Sequence, residues 1–175
     1  MTIKNIWLIL FLTGCGGART GFFPVQAGEH SNSQADAVLS QFTTSSYRGQ
    51  YLDWVLQAKS AWIEQFKELT MVNNLEIQYY EKNQPTTLLK GDSGIFDSKK
   101  GTFEVNGNVS AESPNGRKLV TDKLTWYGKS RILATPSRVV ITTAEGDKIT
   151  GQGLHADQML NKIELYHGKG YHPPE

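Results

Sequence analysis

Few side chains in this 175-residue sequence have the type and spacing that catalysis or metal binding requires. The sequence contains four histidines: His30, His155, His167 and His172. No two of them have the spacing of a His-x-x-x-His motif, and no cysteine accompanies them. Asp92 and Asp122 occupy equivalent positions of a repeated pattern, which favours turn or strand-start roles over a catalytic carboxylate pair. With no G-x-S-x-G motif and no phosphate-binding loop, the sequence predicts no enzyme, no metal site and no cofactor.

The single cysteine, Cys15, is a candidate for covalent lipid attachment. It follows a short segment with one basic residue, Lys4, and an apolar run at residues 6–12. A bilayer-spanning helix needs about 20 apolar residues, so this run is typical of a signal-peptide core. Residues 12–15, Leu-Thr-Gly-Cys, resemble the lipobox of bacterial lipoproteins, in which the signal is cleaved before a cysteine that carries acyl chains. The alternative is an ordinary signal peptide with an incidental cysteine.

These features predict four segments of the chain: a signal peptide at residues 1–14, a lipidated N-terminus and tether at 15–46, a folded domain at 47–171 and a tail at 172–175. The tether prediction rests on a stretch rich in Gly, Ser, Gln and Thr that lacks sustained periodicity. Cleavage leaves 161 residues, with 17 basic against 17 acidic side chains. Such a length can bury a core, and a neutral chain without a basic block argues against nucleic acid as a partner.

The predicted domain repeats one pattern with a period of about 30 residues, starting at Leu89, Leu119 and Ile149. Each repeat continues with a polar turn, an alternating apolar stretch and a second turn, which we place at 106–108, 135–138 and 167–168. Alternating side chains share one face of a strand, so one face of the sheet is apolar. The sequence predicts an all-β fold of about 30-residue two-strand repeats, in which the sheet curls to cover that face.

Residues 51–69 fit two interpretations. Apolar residues at three- and four-residue spacings favour an amphipathic helix. Trp54, Leu56 and Ala58 also alternate, and residues 58–63 echo residues 91–96 about 33 positions later. We therefore predict strands here.

The apolar face supplies the candidate groove residues. If the curled walls do not fully meet, the slot between them is a dry groove for extended apolar chains, each methylene contributing about 0.8 kcal/mol. The alternative is that the same side chains are simply core. The candidates are Leu75, Ile77, Phe103, Val105, Leu124, Trp126, Val139, Ile141, Leu154, Ile163 and Leu165.

Five motifs, taken in order, resemble one known family. They are W-V-L-x-A-x-x-A at 54–61, L-E-I-Q-Y-Y at 75–80, V-N-G-N-V at 105–109, L-V-T-D-K-L-T-W at 119–126 and I-T-G-Q-G-L-H-A-D at 149–157. Together they resemble LptC, the periplasmic component of the bacterial lipopolysaccharide export machine, which is related in fold to the bridge protein LptA. The resemblance implies a single open, twisted β-jellyroll whose interior receives the acyl chains of lipopolysaccharide.

The same resemblance implies two protein partners and a location. The partners are the inner-membrane ABC transporter that extracts the lipid and an LptA-like bridge protein. Many family members begin with a transmembrane helix, whereas this chain has a lipobox-like segment at Cys15. We expect a lipid anchor on the periplasmic face of the inner membrane, with the outer membrane as the alternative. The rival function is a structural lipoprotein that uses the sheet for protein assembly.

Two further expectations concern the C-terminal repeat. Gly151 and Gly153 match the family's glycine position, where a glycine marks a bulge, a close approach by another chain or a local requirement of the fold. The last strand, at about residues 162–166, leaves an edge to which the bridge protein is expected to add a strand. The N-terminal strands around residues 54–61 are then expected to face the transporter.

Overall fold

The computed structural model describes residues 35–171, which form one antiparallel sheet of ten strands. The strands are β1 (Ala37–Arg48), β2 (Tyr51–Glu64), β3 (Leu69–Glu81), β4 (Gln84–Asp97), β5 (Thr102–Glu112), β6 (Lys118–Tyr127), β7 (Ile132–Thr142), β8 (Lys148–Asp157), β9 (Ile163–Leu165) and β10 (Lys169–Tyr171). Consecutive strands pair from β1 to β8, and both β9 and β10 pair with β8. The sheet does not close, which confirms the predicted open, all-β architecture. Within the described range no helix is long and apolar enough to cross a membrane.

A line of irregular pairing crosses the sheet and bends its strands. The irregularities fall between Lys90 and Ser93 in β4, Asn106 and Val109 in β5, Thr121 and Thr125 in β6, and Thr135 and Arg138 in β7. Left-handed backbone conformations lie on the same line, at Asn74 (φ 48°), Gly107 (φ 76°) and Gly153 (φ 83°). Bulges bend strands and increase their twist. We call this level of the sheet the fold line.

The fold line divides the long strands between two walls that pack face to face. Wall A holds the strand ends joined by the β1–β2, β3–β4, β5–β6 and β7–β8 turns, and wall B holds the opposite ends. Tyr79 of wall A packs against Trp126 of wall B with ring centroids 5.2 Å apart. Arg117 Nη1, in a wall A turn, donates to Leu160 O in a wall B turn at 2.8 Å. One sheet therefore covers its own apolar face.

The strand prediction for residues 51–69 is confirmed, because β2 and β3 form a hairpin there. The three- and four-residue spacing that imitates a helix combines buried residues of β2, such as Ala58, with partly exposed ones, such as Val55 and Trp62. Trp54 and Leu56 face the interior, while Phe66 at the turn is 100% exposed.

The predicted boundary between tether and domain is wrong. The tether was expected to reach residue 46, but β1 begins at Ala37 and pairs with β2 from Ala37–Ile63 to Arg48–Tyr51. An edge strand exposes one face and one edge to water, so Ser and Thr are compatible with it, and Thr favours strands. Phe42, 8% exposed, attaches this polar strand to the core. Residues 1–34, including Cys15, and the tail at 172–175 lie outside the described residues.

The predicted second turns at 106–108 and 135–138 are also wrong, since both segments lie inside long strands, on the fold line. The chain turns instead at 113–117 and 143–147, where Gly116 N donates to Ser113 O and Gly146 N to Thr143 O. Gly, Asn and Pro mark bulges as well as turns, which explains the error. The predicted turn at 167–168 is wrong for the same reason, because β9 and β10 follow one another antiparallel to β8 and the chain passes from one to the other without reversing.

Asp92 and Asp122 lie within strands on the fold line and not at turns or strand starts. Asp92 Oδ2 accepts a hydrogen bond from Asn108 Nδ2 at 2.7 Å, which ties neighbouring bulges together. The aspartate therefore stabilises the bend.

Candidate apolar groove

The eleven predicted groove residues share the interior between the two walls. Nine of them are at most 5% exposed, and Ile163 and Leu165 are partly buried against the same cluster. Alternation therefore placed each of these side chains on the correct face. Whether they contact a lipid stays a prediction, because the same positions form the hydrophobic core.

The middle of the interior is close-packed and aliphatic. Its central side chains have no exposed surface: Leu119, Leu124, Leu133, Val139 and Leu154. They come from β6, β7 and β8, three neighbouring strands of the sheet. Such packing resembles that of an ordinary protein core.

A small, partly open apolar pocket lies at one end of the interior, with a cavity volume of about 10 Å³. It is lined by Trp54, Leu56, Ile77 and Tyr79 of wall A and by Phe96, Phe103 and Trp126 of wall B. Trp54 and Phe96 are only partly buried, and their ring centroids lie 6.0 Å apart. We call this pocket, with its seven lining residues, the aromatic pocket.

Sequence reasoning identified three of the seven lining residues, Ile77, Phe103 and Trp126, and missed the other four. The missed residues are Trp54, Leu56, Tyr79 and Phe96. For each of these four residues, the sequence contains a pattern that places it in the interior. Tyr79 continues the alternation of Leu75 and Ile77, and Phe96 lies directly opposite Phe103 in the ladder. Trp54 and Leu56 alternate in a segment that also fitted a helix.

A charged cluster joins the walls beside the aromatic pocket. Asp53 is 8% exposed, and its carboxylate lies 3.2 Å from Arg48 Nη2 and 3.9 Å from Arg131 Nη2. Arg48 also donates to Gly128 O at 3.3 Å, and Arg131 donates to Tyr80 O at 3.1 Å. Two guanidinium groups thus surround one buried carboxylate, which satisfies a charge that would otherwise be costly to bury. We call Arg48, Asp53 and Arg131 the arginine clasp.

Gln158 connects the arginine clasp to the aromatic pocket. Its Oε1 accepts from Trp126 Nε1 at 3.3 Å and from Arg131 Nε at 3.2 Å. Its backbone O accepts from Thr87 Oγ1 of wall A. Burial, and then the neighbouring charge of Asp53, raise the pKa of Tyr79 far above its ordinary value. Tyr79 is therefore a neutral phenol throughout the physiological range.

The two glycines singled out by the sequence lie where β8 meets the segment that contains β9. A Cβ on Gly151 would lie 3.1 Å from Leu165 Cδ2, and one on Gly153 would lie 3.0 Å from Tyr166 Cδ2. Gly153 also has a φ of +83°, which side-chain-bearing residues rarely adopt. In this structure the close neighbour of both glycines is the protein's own chain, so the geometry supports a local requirement of the fold. A role in partner binding stays a prediction.

The two edges of the sheet differ in length. β1 provides twelve residues at the N-terminal edge, whereas β9 and β10 provide three residues each at the C-terminal edge. The sequence predicted that pairing ends near residue 166, but β10 continues it, with Lys169 opposite Thr150. Between β9 and β10 the chain crosses the fold line from wall B to wall A.

The structure brings no set of metal ligands together among residues 35–171, where no group of three or more His, Cys, Asp or Glu side chains could hold an ion. His155 instead packs edge-on against Tyr166, with ring centroids 5.8 Å apart. These observations concern the described residues alone.

Comparison with known proteins assigns the chain to a family. A family model described as lipopolysaccharide-assembly, LptC-related, matches residues 6–172. A search of curated proteins gives no match. Among solved structures, the fold is similar to that of LptH from Pseudomonas aeruginosa, described as the LptA homologous periplasmic component of the lipopolysaccharide transport device. That similarity has a TM-score of 0.55 at 11% identity and covers 69% of this chain and 95% of LptH. The chain belongs to the LptC-related family of lipopolysaccharide-assembly proteins, and its role lies in lipopolysaccharide transport.

Proposed function

We propose that this protein is a membrane-anchored periplasmic carrier that receives lipopolysaccharide from an inner-membrane ABC transporter and passes it to an LptA-like bridge protein. The observation that carries the proposal is the apolar interior between the two walls of one open sheet, which is partly open at the aromatic pocket. Family membership supports the choice of lipid. No enzymatic step is part of the proposal, because transfer moves the lipid without breaking a bond.

The physical basis of binding is the removal of acyl chains from water. Each methylene that enters an apolar groove contributes about 0.8 kcal/mol. The aromatic pocket marks the place where a chain would enter, and entry requires the walls to separate, since side chains fill the interior. The nine buried groove candidates would then line the widened groove.

Photocrosslinking tests the lipid contact. A photoreactive residue at Phe103 or Trp126, which face the interior, should capture lipopolysaccharide in living cells. The matched control positions are Glu104 and Thr125, which occupy the same strands but face outward. Equal capture from inward and outward positions would contradict a groove. Crosslinks to protein alone would favour the rival function, a structural lipoprotein that uses the sheet for assembly.

The open edges support a proposal for partner docking. We place the bridge protein at the C-terminal edge and the transporter at the N-terminal strands. Tyr166 N donates to Gly153 O and Gln152 N to Tyr166 O, so residue 166 points its backbone groups toward β8. In an antiparallel ladder the next residue points its N–H to the other side, and Leu165 N–H is therefore available at the free edge.

Leu165→Pro should remove an edge donor without removing a bond to β8, and should weaken capture of the bridge protein while leaving that of the transporter intact. Leu165→Ala, which keeps the N–H, is the matched control. Unchanged bridge capture by a folded Leu165→Pro variant would place the docking edge elsewhere.

The membrane anchor is proposed at Cys15. Acyl chains on this residue would hold the carrier on the periplasmic face of the inner membrane, although the same chemistry could operate at the outer membrane. Cys15→Ser should move the protein from the membrane fraction to the soluble fraction. Retention of the variant in the membrane fraction would contradict the lipoprotein interpretation.

A further inference from the structure

Half of the exposed large hydrophobic side chains among residues 35–171 lie on one part of the surface. Ten such residues are exposed, and five of them belong to the outer face or the turns of wall B. Four of the five point outward because an adjacent residue of the same strand faces the interior. The fifth, in the β2–β3 turn, is fully exposed. The five residues are Val38, Phe66, Ile95, Tyr127 and Ile132.

An apolar row crosses the outer face of wall B over its first four strands. The order across the strands is Val38, Trp62, Met71 and Ile95, each directly opposite the next. The two middle side chains are half-buried, and the two at the ends are exposed. The solvated face of an antiparallel sheet usually carries polar side chains. Four apolar side chains in one row on that face therefore indicate an interaction surface.

The wall B turns beside this row form one continuous rim. Ser98 N donates to Glu68 O, and Gly128 N donates to Gly101 O, both at 3.0 Å. These backbone hydrogen bonds join three successive turns of the sheet. We call the three turns, at residues 65–68, 98–101 and 128–131, the wall B rim.

The wall B rim is basic, and the turns of wall A are not. The rim holds five basic side chains and one acidic one. Two basic and two acidic side chains are present in the wall A turns at 49–50, 82–83, 113–117 and 143–147. Two rim lysines pair with acidic side chains of the adjoining strands, at 2.6 and 2.9 Å. Lys99 and Lys129 are exposed and form no ion pair with any residue of the described range, so their charges remain available.

The combination of a protruding aromatic ring and free lysines fits the surface of a membrane. Phe66 is 100% exposed at the tip of the β2–β3 turn, with Lys67 beside it. Aromatic rings favour the boundary between headgroups and acyl chains, and lysine ammonium groups are attracted to anionic headgroups. The apolar row behind the rim adds area that such contact would cover.

The path of the chain brings this surface close to the proposed anchor. Asp36 N donates to Ile63 O at 2.8 Å, and Asp36 Oδ2 accepts from Gln65 N, so the chain enters the domain beside the rim. Residues 16–34 separate this corner from Cys15. We propose that the wall B rim and the apolar row lie against the membrane that holds the anchor. This inference rests on the anchor of the proposed function and adds an orientation of the carrier to it.

The contact orients the domain and does not replace the anchor. One ring and a few lysines bind a bilayer weakly and reversibly, so Cys15→Ser should still leave the membrane fraction. With the anchor in place, the bilayer has a high effective concentration at the rim, and a weak contact is then enough to fix the orientation.

Fluorescence quenching in proteoliposomes tests which part of the domain touches the bilayer. The full-length acylated protein carries one fluorophore, at Gln65→Cys in the rim or at Glu145→Cys in a wall A turn. The lipids carry nitroxide quenchers at headgroup level, in vesicles of phosphatidylethanolamine and phosphatidylglycerol or of phosphatidylcholine alone. In the anionic vesicles we expect the rim label to be quenched about fivefold more than the wall A label.

Three variants separate the contributions of the ring and the charges. Phe66→Ser removes the inserted ring and should lower quenching of the rim label about fivefold. Tyr47→Ser is the matched control, because Tyr47 is 63% exposed but lies in wall A, and it should have no effect. Combined Lys99→Gln and Lys129→Gln should lower quenching in the anionic vesicles and leave it unchanged in phosphatidylcholine.

The contrary results separate this inference from the proposed function. Equal quenching of the two labels would overturn the membrane contact, while lipid capture from Phe103 would show that the carrier stands. Quenching of the rim label that neither Phe66→Ser nor the lysine variant lowers would also overturn it. If the wild type does not float with the vesicles, both the rim contact and the anchor are wrong. If the rim label is quenched but Phe103 captures no lipid, the orientation stands and the carrier function is wrong.

Discussion

The middle and the aromatic end of the interior differ in how completely side chains fill the space between the walls. In the middle, Leu124, Val139 and Leu154 have no exposed surface. At the aromatic end, seven residues line a partly open pocket, and two of them, Trp54 and Phe96, are only partly buried. Aromatic pairs prefer tilted or edge-on contacts with centroids about 4.5–7 Å apart, which leaves gaps that branched aliphatic chains would fill. Stability and capacity for a ligand are therefore concentrated in different parts of one interior.

The largest effect on stability is expected when a substitution creates a cavity in the middle of the interior. Leu124→Ala should lower the free energy of unfolding by about 3 kcal/mol, because it removes buried methyl groups and leaves a void. Leu56→Ala is the comparison at the aromatic end, where a gap already exists, and should cost about 1 kcal/mol less. Urea unfolding followed by tryptophan fluorescence measures both. Equal losses would show that the two regions do not differ in packing.

Larger side chains should also destabilise the middle of the interior more than the aromatic end. Val139→Phe should destabilise by about 2 kcal/mol, since a filled region cannot accept a ring without distortion. Ile77→Phe should cost about 1 kcal/mol less than Val139→Phe, because the partly exposed rings of Trp54 and Phe96 can move toward solvent to admit the larger side chain. The same Ile77 variant should block lipid capture from Phe103. Thermal melts and photocrosslinking check the two parts, and full capture by Ile77→Phe would exclude the pocket as the entry site.

Breaking the arginine clasp should loosen the aromatic end alone. Asp53→Asn leaves Arg48 and Arg131 without the carboxylate between them. The substitution should lower the free energy of unfolding by about 1.5 kcal/mol, a value between those typical of exposed and of fully buried ion pairs. Hydrogen exchange should accelerate at the start of β2, the end of β3 and the start of β7, but not at the far end of β7. The control is Glu76→Gln, whose pair with Lys90 at 2.7 Å is exposed. Faster exchange throughout the sheet would contradict a local clasp.

The smallest effect concerns a charge pair outside the interior. The hydrogen bond from Lys123 at 2.8 Å keeps the pKa of Glu104 below its ordinary value. The native state therefore binds this proton less tightly than the unfolded state, and the stabilisation is lost as pH falls from about 4.5 through the lower folded pKa. Glu104→Gln should flatten this part of the plot of melting temperature against pH. Lipid capture at neutral pH should be unaffected, since Glu104 faces outward.

Much of the interior could be predicted because period-two alternation is a local signal. It places Leu124, Trp126 and Val139 on one face without knowledge of their partners. The bends could not be predicted in the same way, since Gly107 and Asn108 have the composition of a turn and act as a bulge. Only pairing with neighbouring strands on both sides distinguishes the two outcomes.

The arginine clasp lay beyond sequence reasoning for a different reason. Arg48, Asp53 and Arg131 belong to three separate strand ends, and Arg131 is brought to the others only when wall B folds over wall A. No spacing in the sequence records that contact. β1 was missed because its polar composition suits both a tether and an edge strand, and the choice depends on pairing with β2.

The fold line has a mechanical consequence for the groove. Because each long strand belongs to both walls, the walls cannot slide past each other without breaking the strands' own continuity, so the groove can widen only by rotation about the bulges. A strand segment of about five residues is a lever about 17 Å long, and a rotation of about 10° moves its tip by about 3 Å. Residues such as Asn108 and Gly153 therefore set the stiffness of a hinge. A substitution there can change how wide the groove opens without touching the lipid.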